Sequence, residues 1–179
     1  MSVEWIEKFI QTDISEGLIP TIFICTVGTT ATLTIDEVEN IHKVCWKYDI
    51  WLHIDSAHLG VYSSLPELRH LFDCFDLADS LNTNGTKALG VGNGVGFYWS
   101  WVKLEKKDWM SPSKDSWGLW VWLALNTVGF NNVRDHLRAS IEFATYFKTE
   151  LSKNKKFDVK KTLWEMPLVL FKLKHHDNQ

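Results

Sequence analysis

Two short apolar runs separated by an amphipathic segment constrain the fold of this chain more than any other pattern. Residues 21–27 and 50–54 are nearly continuous apolar stretches, as in strands that are buried on both faces. The segment 34–48 between them has helical spacing, with Val38 and Ile41 on one stripe. A strand, a helix and a strand joined by short loops normally form a parallel pair with a right-handed crossover. The sequence therefore predicts an α/β fold with functional groups at the carboxyl ends of its strands.

The other elements follow from periodicity and from breaks at glycine and proline. Thr34 is the predicted N-cap of the helix 34–48, and Glu37 three residues later completes a capping box. The remaining elements are helices over 2–13 and 66–72, strands over 80–82 and 95–102, a helical stretch over 117–154 interrupted near Gly129, and strands over 158–161 and 167–174. A polar segment predicts a domain boundary near residue 113, which separates domains 1–112 and 113–179.

Composition limits the class of function. A net charge of −3 and a pI near 6.1 give no reason to expect nucleic-acid binding. The most apolar stretch, 117–125, is shorter than the roughly 20 residues that a membrane-spanning helix needs. The N-terminus has no secretory pattern, and Cys25, Cys45 and Cys74 have no paired spacing. We therefore expect a cytoplasmic protein with no nucleic-acid or membrane partner.

Lys87 and Asp55 carry the most specific chemistry in the sequence. Asp55 closes the predicted strand 50–54, and Lys87 follows 32 residues later, after Asn84-Gly-Thr. Taken singly, such a lysine is usually a surface residue and such an acid is usually a helix cap. Together, an amine that forms a Schiff base and an acid that keeps a ring nitrogen protonated meet two demands of pyridoxal phosphate chemistry. The pair therefore predicts a site for this cofactor.

Six motifs in a fixed order carry a family resemblance. They are Gly17-Leu-Ile-Pro20, Gly28-Thr-Thr30, Asp49-Ile-Trp-Leu-His-Ile-Asp55, Pro66-Glu-Leu-Arg-His70, Ala78-Asp-Ser80 and Asn82-x-Asn84-x-x-Lys87. By the order of these motifs, the chain resembles the group II pyridoxal-phosphate-dependent decarboxylases, most closely the aromatic-L-amino-acid decarboxylases. The resemblance implies part of the large domain of the pyridoxal-phosphate transferase type I fold, followed by part of a small α+β C-terminal domain.

The resemblance assigns roles around the ring of pyridoxal 5'-phosphate. Lys87 matches the catalytic lysine that bonds covalently to the cofactor, and its pKa must be lowered for it to act near neutral pH. Asp55 matches the acid that pairs with the pyridine nitrogen. Ala57 matches the small residue packed under the ring, and Thr30 matches the threonine near the ring hydroxyl.

On the phosphate side, the resemblance assigns Asn84 and Thr86 to cofactor binding. The family has Asn-Pro-His-Lys where this chain has Asn84-Gly85-Thr86-Lys87. A threonine donates one hydrogen bond to a phosphate but supplies no imidazolium charge. Gly85 in place of proline is expected to loosen the turn that aims the lysine.

Two further family features have no counterpart in this sequence. The family's upstream half carries a histidine that stacks on the ring and a small-residue loop that holds the phosphate, whereas this chain begins one helix before residue 21. The family's loop with a proton-donating tyrosine matches residues 103–116, which contain no tyrosine. We therefore expect a truncated member that keeps the acid and the lysine of the family.

The function implied by the resemblance is pyridoxal-phosphate-dependent decarboxylation of an aromatic L-amino acid. A catalytically inactive remnant that binds a partner is one alternative, and an aldehyde-forming enzyme of the same family is another. The resemblance also implies an amino-acid substrate and either a homodimer or association with a full-length relative. A metal site of His53, Asp55 and His58 is disfavoured, because His58 does not share the strand face of the other two and no fourth ligand is evident.

Overall fold

Helices and strands alternate through the part of the chain that the structure describes. This computed structural model describes residues 2–91, 94–102, 117–162 and 164–174. The helices are α1 (Val3–Ser15), α2 (Val38–Tyr48), α3 (Gly85–Ala88), α4 (Trp117–Val128) and α5 (Phe130–Ser152), with 3₁₀ helices over Gly60–Ser64 and Pro66–Leu77. The strands are β1 (Ile22–Thr26), β2 (Trp51–Asp55), β3 (Ser80–Asn84), β4 (Gly96–Ser100), β5 (Phe157–Val159) and β6 (Phe171–Leu173).

The first four strands form one sheet in the order β1-β2-β3-β4. β1 pairs with β2 and β2 with β3 in parallel, while β4 runs antiparallel to β3. The predicted strand–helix–strand unit and the α/β class are thus confirmed. The register places Thr26 beside Asp55 and Asp55 beside Asn82. Polar side chains of three adjacent strands therefore meet at the carboxyl edge of the parallel part of the sheet.

One face of this sheet is covered and the other is open. Leu52 and Ile54 point into the core with 1% and 0% of their surface exposed, and they belong to the same apolar cluster as Ile41 of α2. Burial of each such side chain contributes about 1.5–3 kcal/mol to folding. Ile22 and Ile24 of β1 point to the other face and are 55% and 58% exposed. Because side chains alternate along a strand, Asp55 lies on this open face.

The start of α2 differs from the prediction. The helix begins at Val38, and its N-cap makes no side-chain capping bond, so the capping box that was predicted from Thr34 is wrong. An isolated antiparallel bridge joins Val27 to Ile35 instead. The Asp36 carboxylate also accepts a 2.8 Å hydrogen bond from the backbone of β1. These tertiary contacts hold the segment extended and override its local helix signal.

The C-terminal helices pack onto the same core as the sheet. The predicted interruption near Gly129 is confirmed, since this residue has a φ of 82° between α4 and α5. Val133 and Leu137 of α5, together with Met166, join the apolar cluster of the first part of the chain. The predicted boundary near residue 113 falls outside the described residues and stays a prediction. No helix in the described part of the chain combines the length and the apolar character needed to cross a membrane.

Candidate cofactor site

The acid of the site lies at the end of β2 with one oxygen engaged and one available. Asp55 Oδ1 accepts hydrogen bonds from the backbone N–H of Ala57 at 2.9 Å and from Asn82 Nδ2 at 3.2 Å. The strand register causes the second bond, because it places Asn82 directly beside Asp55. Within the described residues, Oδ2 of Asp55 has no hydrogen-bond partner. This oxygen is therefore available for a protonated ring nitrogen.

A chain of hydrogen bonds between side chains of β2 and β3 leads to the Asp55 carboxylate. Trp51 Nε1 donates to Ser80 Oγ at 2.7 Å, and Ser80 Oγ lies 2.7 Å from His53 Nδ1. His53 Nε2 lies 2.9 Å from Asn82 Oδ1, and the amide nitrogen of Asn82 in turn donates to Asp55. Because the amide nitrogen of Asn82 is used on Asp55, Oδ1 of Asn82 accepts its hydrogen bond from His53 Nε2. The network therefore fixes the orientation of the Asp55 carboxylate.

Lys87 lies at the other side of the site, on the four-residue helix α3 that follows β3. Its side chain is exposed. Asn84 caps the helix, because its Oδ1 accepts hydrogen bonds from the backbone N–H of Thr86 at 2.8 Å and from the Thr86 hydroxyl at 2.6 Å. The cap fixes the first turn of α3 and leaves Nδ2 of Asn84 as a donor without a partner among the described residues.

Gly85 holds the turn that carries the lysine against β4. Its backbone N–H donates a 2.9 Å hydrogen bond to the carbonyl of Val95, a bond that proline could not donate. A Cβ at this position would lie 2.8 Å from both the Phe97 ring and a methyl group of Val91. The glycine therefore permits a close backbone approach, in contrast to the loosening that the sequence led us to expect.

The predicted site residues are brought together to different degrees. Asp55 and Ala57 are directly linked by a hydrogen bond, and Asn84 and Thr86 are linked in the cap of the lysine helix. Thr30 lies exposed in the turn that follows β1, at the same edge of the sheet, and makes no hydrogen bond to the other predicted residues within the described part of the chain. The assigned roles stay predictions.

Ser80 and Asn82 support Asp55 and belong to the family motifs, but no role in the site was predicted for them. Polar residues at every second position of β2 and β3 were the signal that could have found them, because such residues share one sheet face. The same network engages both ring nitrogens of His53. Among the described residues, no group of three or more His, Cys, Asp and Glu side chains is arranged to hold a metal ion.

A separate cavity of about 400 Å³ lies on the covered face of the sheet. Its lining includes Arg69, Phe75, Thr83 and Trp99. It begins near the amino end of β3, at the opposite end of that strand from α3. Asp55 and Lys87 follow the carboxyl ends of β2 and β3 and do not line this cavity.

Comparison with known protein families identifies the family to which this chain belongs. Residues 1–112 match the pyridoxal-dependent decarboxylase conserved domain. A chain with a parallel α/β sheet and an acid and a lysine at neighbouring strand ends thus falls among the pyridoxal-phosphate-dependent enzymes. The protein belongs to the group II pyridoxal-phosphate-dependent decarboxylase family.

Relatives and solved structures agree with this assignment. Aromatic-L-amino-acid decarboxylase from Manduca sexta is 30% identical over 193 residues, covering 94% of this chain and 38% of the relative. The crystal structure of Rhodiola rosea 4-hydroxyphenylacetaldehyde synthase superposes with a TM-score of 0.86 at 28% identity, covering 97% of this chain and 39% of that one. Catharanthus roseus tryptophan decarboxylase in complex with L-tryptophan gives 0.83 at 25% identity, covering 97% and 40%. The chain thus spans about two fifths of the length of these relatives.

The residues at this edge fit the ring side of pyridoxal phosphate. Asp55 offers one unoccupied oxygen on a carboxylate that the network holds in place, and Lys87 offers an exposed amine. The phosphate side offers fewer donors, because the Thr86 hydroxyl and backbone N–H both bond to Asn84. Asn84 Nδ2 is the donor that this arrangement leaves available. The chain therefore fits the ring more completely than the phosphate.

Proposed function

We propose that this chain acts in the pyridoxal-phosphate-dependent decarboxylation of an aromatic L-amino acid. The observation that carries the proposal is the placement of Asp55 and Lys87 at the ends of adjacent parallel strands, with the acid oriented by its own hydrogen bonds. Pyridoxal phosphate, when bound, supplies an electron sink for the charge left as CO₂ departs. Aromatic substrates are supported by the names of the relatives, which act on tyrosine, tryptophan or related amino acids.

The side chains have distinct tasks in this proposal. Lys87 presents its amine for covalent attachment of the cofactor. Asp55 would hold a proton on the ring nitrogen, since Ala57 and Asn82 fix its Oδ1 and leave its Oδ2 available. A carboxylate that is already oriented needs no reorganisation when the ring arrives. Ala57, with its small side chain, would pack under the ring.

A titration with pyridoxal phosphate tests the proposal. We expect the protein to develop a visible absorbance band that Lys87→Ala abolishes, because Lys87 is the proposed point of covalent attachment. Lys43→Ala removes another exposed lysine, from α2, and is the matched control that keeps the band. A band of equal intensity in Lys87→Ala contradicts the proposal. The complete absence of a band in the unmodified protein identifies the inactive remnant instead.

Formation of an aldehyde is a second candidate, supported by the likeness to the Rhodiola rosea synthase at a TM-score of 0.86. The two reactions share the release of CO₂ but differ in their other products. Decarboxylation yields the amine and consumes no oxygen. The aldehyde-forming reaction consumes O₂ and water and releases ammonia and hydrogen peroxide. Measurement of oxygen uptake with L-tyrosine as the probe separates the two.

We further propose that the protein works as a homodimer or with a full-length relative in the cytoplasm. Support comes from the open sheet face, where Ile22, Ile24 and Tyr98 are each about half exposed, and from α4, where Trp120 and Trp122 are 57% and 59% exposed. Apolar surface of this extent favours association. Sedimentation of the purified chain, alone and mixed with a full-length relative, tests both forms. A stable monomer in both samples contradicts the proposal.

A further inference from the structure

His58 lies at the same edge as the acid and the lysine, and its backbone is firmly placed. The segment after β2 is tied to its neighbours by hydrogen bonds from Ser56 N to Asn82 O at 3.0 Å and from Ser56 Oγ to Val27 O at 2.9 Å. The backbone N–H of Gly60 donates to Ser56 O at 2.8 Å, which closes the turn around His58. This turn and α3 follow neighbouring parallel strands, so His58 and Lys87 belong to one cluster.

The imidazole of His58 has no partner within the described part of the chain. Its Nδ1 is buried and has no hydrogen-bond partner there. Because Nδ1 is buried, Nε2 is the ring nitrogen from which an N–H can reach a ligand. Burial lowers the pKa of His58, and the positive charge of Lys87 lowers this pKa further. The ring is therefore neutral beside a cationic amine and has one N–H donor unused.

The unused donor suits an anionic oxygen. Three donors lie at this edge of the sheet, in the turn after β2 and around the end of β3: the Lys87 amine, Nδ2 of Asn84 and the Nε2–H of His58. In the arrangement described above, the Thr86 hydroxyl does not add to them, because it bonds to Asn84. A cationic amine and N–H donors at one edge of a sheet can bind phosphate or carboxylate oxygens. The acid at this edge, Asp55, is assigned to the ring nitrogen instead.

We propose that His58 is a binding residue of the Lys87 site and donates its Nε2–H to an anionic oxygen of the bound cofactor or substrate. The inference deepens the function proposed above and rests on it. Two sources of that oxygen share this chemistry: the phosphate of pyridoxal phosphate and the carboxylate of the amino acid. In either case the bond adds a polar contact on the side of the site where Asn84 and Thr86 leave few donors.

Dissociation constants for matched ligands distinguish the two sources. His58→Phe keeps a flat ring without a donor, and His58→Gln keeps an N–H. If the phosphate is bound, His58→Phe raises the Kd of pyridoxal phosphate about 10- to 100-fold, leaves that of pyridoxal unchanged, and His58→Gln restores most of the affinity. If the carboxylate is bound, His58→Phe weakens binding of L-tyrosine to the cofactor-loaded protein but not that of tyramine. Constants within twofold of the parent for all four ligands overturn the inference.

A second measurement separates this inference from the function on which it rests. The imidazole signals of His58, identified by their loss in His58→Gln, are followed by NMR in Lys87→Ala during titration with inorganic phosphate and with acetate. A saturable shift of these signals supports the inference even where no Lys87-dependent absorbance forms. Unchanged signals with both anions overturn it. Circular dichroism of each variant checks that the fold is retained.

Discussion

The ends of two neighbouring strands, β2 and β3, hold their functional groups in different ways. At the end of β2, Asp55 is half-buried and belongs to a hydrogen-bond network that reaches back along the strand to His53. At the end of β3, Lys87 is exposed on a four-residue helix whose order depends on the Asn84 cap and the Gly85 contact. The carboxylate of Asp55 is therefore oriented before any ligand binds, whereas the side chain of Lys87 is exposed to solvent.

This difference suits the separate roles proposed for Asp55 at the end of β2 and Lys87 at the end of β3. A carboxylate that must keep its charge against a ring nitrogen benefits from fixed geometry, because each degree of freedom lost beforehand is not lost on binding. A lysine that must reach a ligand and bond to it benefits from a mobile side chain on a fixed backbone. Four substitutions test this division, and they are arranged from the largest expected effect to the smallest.

Asp55→Asn removes the charge of the acid and leaves its shape. An amide oxygen still accepts from Ala57 N and Asn82 Nδ2, so we expect an unchanged unfolding midpoint. A hydrogen bond to a charged group contributes about 1.5–3 kcal/mol, so the Kd of pyridoxal phosphate should rise about 10- to 100-fold. Absorbance titration and urea unfolding measure the two quantities. An unchanged Kd would remove Asp55 from the site.

Gly85→Ala tests the backbone of the lysine end. A Cβ would lie 2.8 Å from Phe97 and Val91, so we expect a loss of about 1–3 kcal/mol in the free energy of unfolding. Gly118→Ala is the matched control, because nothing lies within 4 Å of its added Cβ on α4. Alanine there should stabilise by about 0.5–1 kcal/mol. Equal shifts of the urea midpoint in both variants would show that Gly85 makes no close contact.

Asn82→Ala tests the network at the acid end. It removes the partner of His53 Nε2 and one of the two donors to Asp55 Oδ1, so we expect about 1–2 kcal/mol of destabilisation. The control is Asn126→Ala, which deletes an exposed amide bonded to the carbonyl of Trp122 and should change stability by less than about 0.5 kcal/mol. Urea unfolding measures both. Indistinguishable midpoints for the two variants would mean that the network contributes orientation alone.

Glu67→Gln tests whether the end of β2 that carries Asp55 depends on α5. Glu67 lies in the 3₁₀ helix Pro66–Leu77 that comes after β2, and it forms an ion pair with Arg138 of α5. The Arg138 guanidinium, bonded to both carboxylate oxygens, lowers the pKa of Glu67 to about 2 from 4.5. A lowered pKa means that the pair stabilises the fold above about pH 4.5 and that this contribution disappears as the pH falls towards 2. The pair is exposed, so we expect a small effect.

Urea midpoints at pH 7 and pH 2 check this expectation. Glu67→Gln should lie slightly below the unmodified protein at the higher pH and should coincide with it at the lower one. A constant difference at both pH values would show that the carboxylate charge is not the source. In the same variant, the Kd of pyridoxal phosphate should be unchanged if the strand network alone orients Asp55.

Periodicity and motif order predict the sheet, the long helices and the identity of the acid and the lysine. The sheet and the helices follow from local sequence patterns, and the acid and the lysine follow from residue type and position, as with Lys87 after a strand. The start of α2 was missed because the Val27–Ile35 bridge is a contact between segments that no local pattern encodes. The contribution of Gly85 was missed for the same reason, since it depends on Phe97 of the neighbouring strand. The orientation of Asp55 depends on strand register, which becomes visible when β2 and β3 are aligned.

The packing of β1 against α2 gives the protein an internal probe of its own opening. Cys25 and Cys45 are 0% and 1% exposed, and burial raises the pKa of these thiols to about 12 and about 11. Alkylating reagents attack the thiolate, so both residues are protected by access and by protonation. Cys74 is only half-buried and should be labelled first. The delay before the other two react therefore reports how often the sheet and its covering helix separate, without an engineered cysteine.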